Sequence, residues 1–105
     1  MIYKIYIPKS YVHNKIGYAT NFNHVRNELK KLTKGWTEYD GQGVWFNDEG
    51  KEFNEPVKVF EIVIDDENDK CYIFTPELQE TLRYFKSFLN QECMFYTVNN
   101  EGRYV

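Results

Sequence analysis

The sequence predicts an α+β domain, and three observations carry that reading. Residues 2–7, 36–46, 57–64 and 93–98 are rich in β-branched and aromatic types, as strands are. Between them, Phe22, Val25, Leu29 and Leu32, and then Leu78, Leu82, Phe85 and Leu89, recur at helical spacing. The length of 105 residues, 42% hydrophobic and 28% charged, is that of one globular domain over residues 1–105.

Each element has a local reason. Strand 2–7 ends at Pro8, which cannot extend a central ladder. Residues 8–20 form a polar loop, long for a small domain, and loops of that length are often functional. A helix is expected from Asn21, with Thr20, Asn21 or Asn23 as its cap. Its cations, Arg26, Lys30, Lys31 and Lys34, gather toward the C-terminal end favoured by the helix dipole, and Gly35 stops it. In the next strand, Gly41-Gln42-Gly43 is expected as a bulge or bend. Residues 47–50 read as a turn, and Pro56 marks the entry to strand 57–64. That strand carries Lys58, Phe60, Ile62 and Ile64 on one face and Val57, Val59, Glu61 and Val63 on the other, as expected of a strand covered on both sides. The acidic run 65–69 reads as a solvated loop, without the spacing or central glycine of a calcium loop. Thr75-Pro76 is the expected start of the second helix, Thr as cap and Pro at the first helical position. A strand over 93–98 and a turn over 99–102 close the chain. The order is β-α-β-β-α-β, the split βαβ of ferredoxin-like domains: an antiparallel sheet with two helices on one face.

Nine Tyr, eight Phe and two Trp nearly equal the seven Ile, five Leu and eight Val, so aromatic packing is expected to dominate. The net charge is -3, unevenly spread. Residues 1–34 hold seven bases and one acid, and the remaining 71 hold six bases and fifteen acids. That balance argues against a general nucleic-acid binder. No apolar run approaches the roughly 18 residues of a membrane span, and no signal peptide is evident, so a cytoplasmic protein is expected. Cys71 and Cys93 lack CxxC spacing and read as small hydrophobes, while His13 and His24 cannot make a metal site alone; no cofactor is implied. Abundant Lys, Asn, Ile and Tyr beside a single Ala is a bias of AT-rich bacteria and their phages, which would place the protein in a host cytoplasm.

Two surfaces emerge as candidates. Lys9, Lys15 and Arg26, with donors from Ser10, His13 and Asn14 and a stacking ring from Trp36, surround the N-terminus of the first helix. Together they suit a small phosphate-bearing ligand. Val57, Val59 and Val63, with Glu61 among them and Trp45 nearby, form an apolar sheet face too large to leave bare, expected to be covered by a second copy in a homodimer. Catalytic patterns are weak. Ser10 and His13 lack an oxyanion-hole glycine cluster, and Gly41-Gln42-Gly43 is too short to cradle a pyrophosphate. The carboxylate pairs Glu38/Asp40 and Glu52/Glu55 are unremarkable among sixteen acids, whereas Glu61 interrupts an apolar face.

Residues 32–60 contain Gly35 and Thr37, Gly41 through Trp45, a turn over 47–50, and Glu55-Pro56. This segment resembles a family of small uncharacterised bacterial and phage proteins with a G-x-T, G-x-x-W, D-x-x-G and E-P pattern, here with altered spacing before the Trp. The resemblance implies a compact α+β domain and no established activity. The expected function is a non-catalytic binding module, encoded by a phage or mobile element, that occupies a host protein or sequesters a small anionic ligand. The alternative is a small dimeric enzyme with Glu61, His13 or Tyr39 as acid or base.

Overall fold

The computed structural model describes residues 1–9, 18–64, 70–89 and 94–105. Ser10, His13, Asn14, Lys15, the acidic run 65–69 and Cys93 lie outside the described residues. Within them, β1 (Ile2–Pro8), α1 (Tyr18–Leu29), β2 (Thr37–Phe46), β3 (Glu52–Val63), α2 (Lys70–Phe88), β4 (Phe95–Val98) and β5 (Glu101–Tyr104) follow in order. The strands form one antiparallel sheet ordered β2-β3-β1-β4-β5.

The α+β class and the two helices are as expected; the exact six-element ferredoxin-like order is not. A fifth strand follows the turn at Asn99 and Asn100, where the sequence suggested the chain simply turned. Both asparagines have positive φ, 50° and 69°, the conformation that a tight two-residue hairpin turn demands and Asn tolerates. β5 is four residues long, exposed throughout and made of two charged residues, a glycine and one tyrosine, so no apolar alternation announced it.

Other boundaries also moved. Gly41 to Gly43 pair in unbroken register with Val57 to Glu55, so β2 has no bulge there. β3 begins at Glu52 and runs through Pro56, whose missing N–H does not end the strand. α1 begins at Tyr18 and stops at Leu29, short of Gly35, and Leu32 packs on the core from the segment that follows. α2 begins at Lys70, which places Pro76 inside the helix and not at its first position.

Alternation sorts the sheet into two faces. Tyr3, Ile5 and Ile7 of β1, Phe60 and Ile62 of β3, and Tyr96 and Val98 of β4 are buried on one of them. The stripes Phe22, Val25 and Leu29 of α1 and Phe74, Leu78, Leu82, Phe85 and Leu89 of α2 join them in one core. The two buried tyrosine hydroxyls are provided for: Tyr3 shares a 2.6 Å hydrogen bond with Thr75, and Gln79 donates to Tyr96 at 3.1 Å. β3 was expected to be covered on both faces; among the described residues helices cover only one, and Val63 on the other is 67% exposed.

Candidate functional site

Among the described residues no helix lies over the opposite face of the sheet. The registers place one residue from each strand in a row across it: Tyr39 of β2 opposite Val59 of β3, Val59 opposite Tyr6 of β1, then Phe95 of β4 opposite Tyr104 of β5. Tyr6 and Phe95 meet with ring centroids 5.3 Å apart, and Phe95 and Tyr104 at 5.2 Å. Four aromatic rings and one valine thus span all five strands. Val59, flanked by Tyr39 and Tyr6, is buried despite lying on the open face, whereas Tyr104 is 72% exposed.

Two residues farther along β2 the face changes character. Gly41 and Gly43 take the positions at which side chains would stand, and Trp45 follows, stacked on Phe53 of β3 at 4.2 Å and 8°. With Val57 and Val59 beneath and the aromatic row to one side, the glycines leave an open groove of about 830 Å³. That volume lies within the range of about 300–1,000 Å³ typical of small-molecule sites. Its lining is mostly apolar, with Glu55 the one charged residue among the described residues in it.

On the other side of the aromatic row lies a polar strip. The Tyr39 hydroxyl donates to Glu61 at 3.4 Å, Lys4 stands 3.8 Å from the same carboxylate, and Lys4 also donates to the Asn100 side-chain Oδ1 at 3.5 Å. Thr97, across the ladder from Lys4, is buried, and its hydroxyl has no hydrogen-bond partner among the described residues. Burial pushes the Tyr39 phenol above its ordinary value, with Lys4 opposing and Glu61 adding to the rise, so it remains a donor at neutral pH.

Of the residues expected to bind an anion, Lys9, Arg26 and Trp36 are among those described, and each lies beside a carboxylate of β2. Arg26 and Trp36 do come together, on Glu38. Arg26 donates from Nε at 2.9 Å and from Nη2 at 2.8 Å to the two carboxylate oxygens, and the Trp36 indole donates at 3.0 Å. The Arg26 hydrogen bond, aided by Trp36 and opposed by burial, holds Glu38 below the usual carboxylate range. Lys9 and Lys58 both pair with Asp40, at 2.8 and 2.9 Å, and these bonds lower the Asp40 carboxyl to about 2. The described cations of this group therefore tie α1 and β1 to β2 on the helix-covered side. Of the residues expected at an interface, Val57 and Val59 line the groove with Trp45, while Glu61 and Val63 flank it on the same open face. Phe95 and Tyr104 were not singled out as a site, because their alignment needs the register of β4 and β5, which no local pattern encodes.

Two solved structures share this fold. One is a phage SAM lyase in complex with S-methyl-5'-thioadenosine, with a TM-score of 0.60 and 10% sequence identity, over 99% of this chain and 87% of that one. The other is a phage SAM lyase in its apo state, with a TM-score of 0.61 and 13% identity, over 99% and 86%. No protein-family model matches the chain, and no curated protein matches it. At such identities the likeness is one of fold. No helix among the described residues is long and apolar enough to cross a membrane.

Proposed function

We propose that the open sheet face binds a small nucleoside of the S-adenosylmethionine class. The observation that carries this is the aromatic row lying between a glycine-lined groove and the Lys4–Glu61–Tyr39 strip. Each part suits a portion of such a molecule. A sulfonium cation is attracted to the faces of Tyr and Phe rings, a nucleobase stacks on an apolar or aromatic floor, and a zwitterionic amino-acid end pairs with one carboxylate and one ammonium. Along β2, the four steps from Gly41 to Thr37 cover about 13 Å at strand rise, the scale of an extended nucleoside with an amino-acid arm. A phosphate suits this face less well, since Glu55 and Glu61 would repel it. The fold likeness to phage enzymes, one of them holding a thioadenosine, supports the same ligand class and a phage or mobile-element origin.

Thermal denaturation and calorimetry with S-adenosylmethionine and S-methyl-5'-thioadenosine test the reading. At a ligand concentration of about 100 Kd the folded state gains about 2.7 kcal/mol, and Tyr6→Ala or Tyr39→Ala weakens binding at least tenfold. No stabilisation by either compound refutes it. A catalytic reading is favoured by the Tyr39–Glu61 contact, a protonated phenol beside a carboxylate. Consumption of S-adenosylmethionine by the pure protein, lost in a folded Glu61→Gln variant, is its signature.

Self-association belongs to the same proposal. Ile2 and Val63, opposite each other on the open face outside the groove, are 41% and 67% exposed, an apolar margin that a second copy would cover. Light scattering at micromolar concentration giving only the monomer mass rules this out.

A further inference from the structure

Gly41 and Gly43 sit in the middle of a ten-residue strand, where glycine weakens pairing and forgoes side-chain packing. Their backbone does not call for glycine. Neither has positive φ, and the register runs through them without a bulge. Packing explains little more. A Cβ on Gly43 would stand 3.4 Å from the Glu55 carbonyl oxygen, an ordinary contact. One on Gly41 would stand 3.3 Å from a Val57 methyl and 3.6 Å from a Val59 methyl, which asks Val57 to yield by only a few tenths of an ångström. What the two share is position. They are the outward residues between Tyr39 and Trp45, and any side chain there would rise into the groove.

The space they leave has a definite shape. Tyr39 and Trp45 are six residues apart, about 20 Å along the strand. The far end is closed by an aromatic wall already assembled, Trp45 stacked in parallel on Phe53. The floor is bare backbone of β2 beside the methyls of Val57. A flat, bicyclic heteroaromatic ring fits such a floor, because it gains contact over its whole face without a hydrogen bond being left unmet.

We propose that Gly41 and Gly43 are the specificity-determining floor of the groove, on which a purine ring lies flat over Val57 with Trp45 at its edge. This rests on the reading of the open face as a nucleoside site, and deepens it by assigning the base to one end.

The test measures affinity for adenine, adenosine, S-methyl-5'-thioadenosine and S-adenosylmethionine by calorimetry in the wild-type protein and in Gly41→Val, Gly43→Val and Gly43→Ala. Valine suits a strand, so these variants should melt at or above the wild-type temperature, and Gly43→Ala, whose contact is ordinary, keeps a folded comparison if Gly41→Val does not fold. The expected result is at least a tenfold loss for every purine ligand in Gly43→Val and a smaller loss in Gly43→Ala. In the wild type, nuclear Overhauser contacts are expected between the purine ring protons and the Val57 methyls. Purine binding within twofold of wild type in folded Gly43→Val, or ring contacts elsewhere, overturns the floor while leaving the nucleoside site standing. Binding of adenine and adenosine without S-adenosylmethionine, lost in Gly43→Val, sustains the floor and overturns the S-adenosylmethionine reading. No purine binding at all overturns both.

Discussion

Replacing Arg26 by alanine should loosen the strand that carries the groove. Arg26 reaches from α1 to Glu38 of β2, next to Tyr39 and three residues before Gly41, both at open-face positions. The substitution removes the two-pronged contact and leaves Glu38 with the Trp36 indole alone among these donors. The pair is neither fully exposed nor deeply buried: the Arg26 and Glu38 side chains are 33% and 24% accessible. Exposed ion pairs contribute about 0.2–1 kcal/mol, and breaking a buried one costs about 3–5 kcal/mol. An intermediate value of about 1.5–2 kcal/mol follows, or about 6–8 °C in melting temperature for a domain of this size. Because Glu38 titrates below its ordinary 4.5 in the folded state, the contribution is complete above that pH and is lost as pH falls through the folded value. Urea titrations of wild type and Arg26→Ala, followed by Trp36 fluorescence in a Trp45→Phe background, should diverge at pH 7 and converge in acid. A difference under 0.5 kcal/mol at pH 7, or one that does not shrink below pH 4.5, refutes this account of the clamp.

Three further outcomes follow from the same geometry. Asp40 should titrate near 2 by NMR, and Lys9→Ala should move it up toward its ordinary 3.8; an unshifted titration means the two lysines do not pair with it. Phe60→Ala, at a core position with no exposure, should cost about 3–5 kcal/mol in denaturant titration, and a loss below 1 kcal/mol would contradict the packing of β3 under the helices. Gly102→Ala would place a Cβ 2.9 Å from the Phe95 ring, so the ring must turn away; chemical shifts of Phe95 and its neighbour Tyr6 should change while the protein stays folded, and unchanged shifts would count against the aromatic row.

The core was legible because it obeys period: Phe22, Val25 and Leu29, and Leu78, Leu82, Phe85 and Leu89, are the buried stripes that their spacing marks. Helix ends were less so. Thr75-Pro76 carries a strong start signal, yet Thr75 meets the Tyr3 hydroxyl, a tertiary contact one helical turn beyond the true start that no local rule contains. Val57, Val59, Trp45 and Glu61 were found on the open face because alternation along one strand is a local property. Phe95 and Tyr104 were not, because aligning them requires the pairing of β4 with β1 and β5, contacts between residues far apart in the chain. The partners of Lys9 and Arg26 were not legible, because sequence shows charge but not what folding sets against it, here Asp40 and Glu38 of β2.

The most direct test of the open-face site is a titration of the isotopically labelled protein with S-adenosylmethionine, monitored residue by residue. The account predicts saturable shifts confined to the open face, at Lys4, Tyr6, Tyr39, Gly41, Gly43, Trp45, Val57, Val59, Glu61 and Phe95, with Arg26, Trp36 and Lys58 unmoved. Shifts centred on Arg26, Trp36 and Lys58, or none anywhere at millimolar ligand, would contradict it.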